Sequence, residues 1–557
     1  MDSVATIIWI VSFVIVTVTV TGFAGRWGVS APVALVALGA IASFVPGVPD
    51  IEIEPDLVLF GVLPPLLFAS AIRASVVDIT ARLDSILLLS VGLVAFTFVL
   101  VGFTTWLVVP GITLAAALAF GAVVGPTDAV AVTAIAGRLR LPRRVLTILE
   151  GESLLNDAVA LVALSASITA IVSEVSPGSV ALDLVLAVGV GVGAGFLVGF
   201  LIAAIRKRLE SPVLDTSLSL VTPYVAFIPA QLLHGSGVLA VVIAGLFLGY
   251  RSPTIQSAEA RIAESINWRT VRFLLENAVF LLIGLSLAGI FAEAVADSPG
   301  LWPSVVIGGA VLAAVFLARV LWVAMSTVLY RSGPAWLRER GWRWNNSIAV
   351  AVSGIRGVVT LIAVFLLPAE TPSRGFLQFL AFVVIAGSLV SGLALPWVIR
   401  RLRLPPPNEM QEQTQRRLLM SEAQAAGLAR LEAEAPEGVE DRVLNRLRVN
   451  ATFLTEETED DLEPEDAPRL KVYANLRRKM IEAERDTVRQ ARAEGRYEEY
   501  AVRAVLAAID AEELALRATA PHPHDSAPKP EKTSGPARAA ASATAPDASP
   551  ATDGRDR

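Results

Sequence analysis

The sequence contains no cysteine. No disulfide, thiolate nucleophile or thiol metal site can form, and cysteine usage is silent about the redox compartment. Histidine is scarce: His234, His522 and His524 are the only three, and only His234 falls in the apolar part. That argues against a histidine metal site there. Charge is scarce too. Only 18% of the 557 residues are Asp, Glu, Lys or Arg, against 54% hydrophobic, a balance no ordinary soluble domain shows. No Walker motif, nucleic-acid-reading motif or paired-acid hydrolase pattern appears, so neither an enzyme nor a nucleic-acid partner is expected. The chain opens Met1-Asp2-Ser3 without a basic cluster. The apolar run Val4–Phe23 is longer than a signal-peptide core, and reads as a first span that stays.

Mean hydropathy is +0.61, and apolar runs recur through residues 1–400. Each run is roughly 20 residues, enough to cross ~30 Å of hydrocarbon. The expected fold class is an all-α polytopic membrane protein. A barrel would show shorter, strictly alternating segments. Thirteen spans are expected, at 4–24, 30–46, 56–72, 84–109, 112–136, 150–173, 180–205, 216–233, 236–250, 269–292, 302–329, 346–367 and 374–399. One alternate set of loops carries Arg26, Arg73, Arg82, Arg138, Arg140, Arg143, Arg144 and further arginines through Arg403. The other carries Asp50, Glu52, Glu54, Asp56, Glu174, Asp183, Glu293, Asp297 and Glu370, with Arg374 its only cation. Cationic loops stay cytoplasmic. The expectation is a plasma-membrane protein with its N-terminus outside and its C-terminal segment inside.

An odd span count lets segments 1–6 and 8–13 cross in opposite senses, the geometry of inverted repeats. Gly125-Pro126-Thr127-Asp128 and Gly354-Ile355-Arg356-Gly357 interrupt the fifth span of each half, so two broken crossing helices are expected. Residues 1–404 form the expected transmembrane domain. Leu404-Pro405-Pro406-Pro407 leads into a charged, helix-periodic stretch, read as a cytosolic helical domain over 405–520. Gly495 is a plausible helix stop within it. Residues 521–557 have the composition of a disordered tail.

The most informative stretch is Gly151-Glu152-Ser153-Leu154-Leu155-Asn156-Asp157. Ser153 and Asp157 share one helix face, as do Glu152 and Asn156. An ionised residue deep in hydrocarbon costs ~2.5–3.5 kcal/mol on insertion scales, so it marks an ion pathway, a proton relay or a structural pair. Asp157 reads as a carboxylate for which a proton and a small cation compete, with Asn156 adding a neutral oxygen. Taking its charge out of water favours the neutral acid, so it can hold a proton in one half-cycle. The alternative for Asp157 is a structural hydrogen bond to a neighbouring helix. Asp128 and oxygens of the broken span could complete a hard-cation shell; equally, Asp128 could cap the second half-helix. Arg319 and Arg356 are the only basic residues deep in spans, and each needs a partner. The expectation is that Arg356 pairs with Glu152 or Asp128, and that Arg319 makes a helix-packing pair. Glu150 reads as an interfacial charge or part of an access funnel, and Glu276-Asn277 has the same ambiguity. Gly191, Gly195 and Gly199 suit close helix contact rather than a phosphate loop.

These motifs resemble the sodium/proton exchanger family, in its NhaP-like bacterial branch. Leu63-Pro64-Pro65-Leu66-Leu67-Phe68, Gly125–Asp128, Gly151–Asp157, Ser236-Gly237-Val238-Leu239-Ala240-Val241-Val242 and Gly354–Gly357 carry the likeness, in that order, over about residues 5–400. The resemblance implies a homodimer in the bilayer, with a core domain moving against a dimerisation domain. It implies that Asp157 binds the ion, that Glu152, Ser153, Asp128 and the Thr127 backbone shape the site, and that Arg356 stabilises it. It implies transported Na⁺, Li⁺ or K⁺ exchanged for H⁺, with Na⁺ held by Asp157, Asp128, Ser153 and Thr127, and no other cofactor. Asn rather than Asp at 156 implies electroneutral exchange. The chain departs from the pattern at Ala69, where many relatives carry Glu, and at Gln231, where relatives often carry an acid.

The expected function is therefore cation/proton antiport by alternating access, Na⁺ first. The rivals are a K⁺/H⁺ antiporter of the same fold, a membrane-embedded sensor or scaffold, and a gated cation channel.

Overall fold

The computed structural model describes residues 3–27, 31–46, 55–128, 141–172, 177–338, 342–406, 408–435, 441–452 and 467–519. Among these residues every regular element is a helix. In chain order they begin with α1 Ser3–Trp27, α2 Ala31–Ser43, α3 Leu63–Ala71 and α4 Val76–Ala81. Next come α5 Leu83–Val108, α6 Leu114–Val124, α7 Arg143–Val172, α8 Pro177–Arg206, α9 Pro212–Leu232 and α10 Gly237–Ile255. They continue with α11 Ala258–Leu285, α12 Leu287–Asp297, α13 Leu301–Ser332, α14 Ala335–Arg338, α15 Trp344–Val352, α16 Val358–Phe365 and α17 Arg374–Leu402. The C-terminal part holds α18 Glu409–Glu434, α19 Asp441–Thr452, α20 Ala467–Ala493 and α21 Glu499–Thr519.

Among the described residues seven helices are long and apolar enough to cross a membrane alone, or eight if α11 and α12, bent by 43°, form one span. The remaining expected spans hold shorter helices or broken pairs. Phe196, Leu197, Phe200 and Leu201 of α8 are exposed, which is a cost in water and none in hydrocarbon. Small residues let the helices approach. A Cβ added to Gly191 or Gly195 would lie 2.7 Å from the Ser236 carbonyl oxygen or 2.6 Å from that of Ala240. α8 and α10 therefore meet backbone to backbone.

Two unwound stretches cross in the interior. α6 stops at Val124, and Gly125–Asp128 runs on without helical form. α15 ends at Val352 and α16 starts at Val358, leaving Ser353–Gly357 between them. The Asp128 N–H donates to the Ile355 carbonyl at 2.7 Å. Arg356 donates to the carbonyls of Gly354 at 2.7 Å and Val124 at 3.3 Å, and its own N–H reaches Ser388 Oγ at 3.1 Å. Backbone groups freed by the breaks are thus satisfied inside protein, as a hydrocarbon setting demands. The second half of the fifth expected span, and with it the capping role considered for Asp128, lies outside the described residues.

The C-terminal helices α18, α20 and α21 pack through Leu419, Ala423, Ile481, Val488, Val502, Val505 and Ile509. α20 ends at Ala493, and Gly495 takes a φ of +66°, the left-handed form that ends a helix. The acidic run 456–461 and the stretch 521–557 lie outside the described residues.

Candidate cation site

α7 presents two faces, and they meet different surroundings. On one, Glu152 and Asn156 are each only 1% exposed. Glu152 accepts from Arg319 Nη1 at 2.6 Å and Nη2 at 3.2 Å, and from Thr127 Oγ1 at 2.8 Å. Asn156 Nδ2 donates to the carbonyl and the hydroxyl oxygen of Thr127, both at 3.1 Å. Arg319 spends its remaining donors on the α15 end, at the carbonyls of Val350 and Ala351. A buried pair holds only when its spare donors and acceptors are satisfied, and these are. The expected pairing is therefore corrected. Glu152 takes Arg319, which reaches it from α13, while Arg356 spends two of its donors on carbonyls at the breaks. The packing-pair reading of Arg319 understates its place, because it ties α7, α13 and α15 together.

On the other face Ser153 and Asp157 are partly exposed. They line a cavity of about 500 Å³ with Thr127, Asp128 and Thr360. Nearer its rim stand Glu150, Glu276, Arg73, Arg272 and Arg503. Arg272 and Glu276 pair at 2.6 Å. Gly357 forms the wall beside Asp128: a Cβ there would sit 1.9 Å from Asp128 Oδ2. Only glycine lets that carboxylate pass.

Of the residues expected at the ion, the structure brings Asp157, Ser153, Asp128 and Thr127 to one cavity. It places Glu152 and Asn156 outside the cavity wall. Asn156 turns its amide nitrogen to Thr127. Its Oδ1 is buried with no partner among the described residues. Both Thr127 oxygens are already engaged with that face. Glu150 belongs to the cavity, so the access-funnel reading fits its position. Arg73, Arg272, Arg503 and Ser265 were not singled out from sequence; two of the arginines were visible only as cationic loop residues.

A second cavity of about 570 Å³ is lined by the far half of the same helix, including Leu161, Ser165 and Thr169, with Asp56, Asp183, Gln231 and His234. Leu161 lies one turn beyond Asp157, about 6 Å along the axis. One helix thus borders two cavities, with the acid lining only the first. Ala69, at the first departure from the family pattern, is fully buried; Gln231, at the second, faces the second cavity.

The family description "Sodium/hydrogen exchanger, transmembrane" matches residues 11–401. The chain belongs to the sodium/hydrogen exchanger family. It is a multi-pass membrane protein of the cation/proton antiporter class, and a transporter rather than an enzyme. A protein of Mycobacterium tuberculosis described as an uncharacterised Na⁺/H⁺ exchanger is 31% identical over 523 residues, 91% of this chain and 95% of the relative. The sodium, potassium, lithium and rubidium/H⁺ antiporter of Bacillus subtilis is 31% identical over 381 residues, 64% of this chain and 56% of the relative. The fold is that of the sodium proton antiporter MjNhaP1 from Methanocaldococcus jannaschii, with a TM-score of 0.59 at 18% identity over 72% of this chain and 99% of that one.

Proposed function

We propose that the protein exchanges Na⁺ for H⁺, one for one, at Asp157. The observation that carries this reading is the Asp157 carboxylate lining one cavity beside Asp128, on a helix whose next turn borders a second cavity. The carboxyl accommodates a proton or a partly dehydrated cation, not both, because each neutralises the same charge. Asp128, Ser153 and water supply further hard oxygen donors, the ligand set that suits an alkali cation and repels soft metals. Glu152 brings no net charge to the exchange, since Arg319 neutralises it, and Asn156 brings none. That arrangement supports a one-for-one stoichiometry. Alternating access then needs the α7 segment to shift so that Asp157 leaves the first cavity and meets the second.

We place the C-terminal helices in the cytoplasm, which makes the cavity holding Asp157 the inner one. A homodimer and a plasma-membrane location follow from the same family reading. A K⁺/H⁺ exchanger is the second reading, favoured by the cation range in the name of the Bacillus subtilis relative.

The test is a reconstituted vesicle with an internal pH dye, pulsed in turn with Na⁺, K⁺ and Li⁺. Wild type should move protons on a Na⁺ pulse, and Asp157→Asn should not. Undiminished flux through the variant would remove the site assignment.

A further inference from the structure

The rim of the first cavity is completed by a side chain from outside the transmembrane part. Arg503, on α21, lines it together with Arg73 and Arg272. Its Nη1 donates to the Arg73 carbonyl at 2.8 Å and its Nη2 to that of Ala74 at 2.9 Å, just past the end of α3. The nearest acid on its own helix is Glu499, at 3.4 Å. Glu499 is already gripped by Arg492, at 2.9 Å from Nε and 2.5 Å from Nη2. At the rim, three guanidiniums face two carboxylates, Glu150 and Glu276. Arg503 supplies the excess positive charge.

The bundle is held in place by more than this residue. Asp510 pairs with Arg261. Glu412 takes Arg143 at 2.8 Å and 3.1 Å, and the Arg143 guanidinium lies 5.3 Å from the Tyr500 ring centroid. Arg492 lies 4.7 Å from that of Tyr250. The guanidinium of Arg503 is therefore positioned, not merely nearby.

We propose that Arg503 is a positioning residue of the ion route, a fixed charge that the C-terminal bundle lends to the cavity mouth and that sets how readily cations enter from that side. This rests on the exchange reading above. A narrow mouth with low-dielectric walls focuses its field, so one charge changes the local concentration of every monovalent cation. Na⁺ and H⁺ carry the same charge and are depleted by the same factor. When protons are too few to occupy Asp157, the depletion raises the apparent KM for Na⁺. When protons saturate Asp157, the two depletions cancel in the competition, and the KM for Na⁺ no longer feels Arg503. The charged groups around Arg503 are Glu499 on its own helix and Arg73, Arg272, Glu150 and Glu276 across the cavity, with Asp78, Arg143 and Arg269 beside these and Asp128 and Asp157 also lining it.

The experiment uses full-length protein in vesicles of known orientation, with Na⁺ varied on the C-terminal-bundle side. Arg503→Gln should lower that KM about two- to fivefold at alkaline pH. The shift should vanish at acidic pH, leaving the maximal rate and the opposite-side KM as in wild type. Arg503→Lys, which keeps the charge and loses the paired carbonyl contacts, should behave as wild type. An unchanged KM in Arg503→Gln overturns the proposal. So does an equal shift in Arg503→Lys, a shift that persists at acidic pH, or one that appears on both sides. A wild-type chain that moves no protons on a Na⁺ pulse overturns the exchange reading and this one with it.

Discussion

Residues 152 and 153 are neighbours in the chain, yet they live in different media. Glu152 is sealed among Arg319, Thr127 and the α15 carbonyls. Ser153, rotated about 100° around the axis, borders a cavity. Asn156 and Asp157 repeat the contrast one turn later. The dry face spends most of its polar groups on one another and so fixes geometry. The wet face borders the space that a cation would enter. The same amphipathic logic that sorts core from solvent in a soluble helix here sorts scaffold from cargo.

The contrast can be broken most severely at Asp157. Asp157→Asn should abolish Na⁺-driven proton flux while leaving the detergent-solubilised melting temperature close to wild type, because a partly exposed cavity residue holds little structure. Gly357→Ala should come next. The added methyl must displace Asp128, so flux should fall by an order of magnitude or more.

On the dry face the currency is stability. Glu152→Gln leaves the Arg319 guanidinium buried without its counter-charge, and such losses run to about 3–5 kcal/mol. Melting of the purified protein should show it, and Glu152→Gln with Arg319→Met should recover much of the loss. If the single variant kept its stability and lost only transport, the division between faces would fail. Thr127→Val removes one donor to Glu152 and one acceptor for Asn156, at about 1–3 kcal/mol for buried groups left unsatisfied.

The smallest effect lies at the docked bundle. The Arg143 guanidinium beside Glu412 holds its carboxyl below the ordinary carboxylate range. A folded-state value below the unfolded one stabilises docking above the ordinary range, and that contribution fades as pH falls through the depressed value. The pair is half in solvent, so it is worth under about 1 kcal/mol. Glu412→Gln should therefore leave the neutral-pH melt within a degree or two and flatten its acid limb.

Much of this was legible beforehand. Hydropathy located the long apolar helices, because a bilayer asks for unbroken apolar length. Gly125-Pro126 and the paired glycines of Gly354–Gly357 announced the two unwound stretches, because glycine and proline weaken a helix. The four-residue spacing announced the two faces of α7. What spacing cannot say is which face is wet. That is decided by helices distant in sequence: α13 brings Arg319 to Glu152 across 167 positions, and no local pattern distinguishes Arg319 from Arg356 as the partner. Nor could periodicity reveal that Arg503, on an ordinary-looking charged helix, stands over the cavity.

The link from Glu152 through Arg319 to the Val350 carbonyl has a mechanical meaning. It welds three separate stretches of chain into one piece, so in the proposed exchange the acid would keep its neighbours whichever reservoir it met. The labour of such a cycle would then fall on the greasy seam between that piece and the helices around it. Turnover should accordingly track the thickness and fluidity of the surrounding lipid more closely than the chemistry of the bound ion.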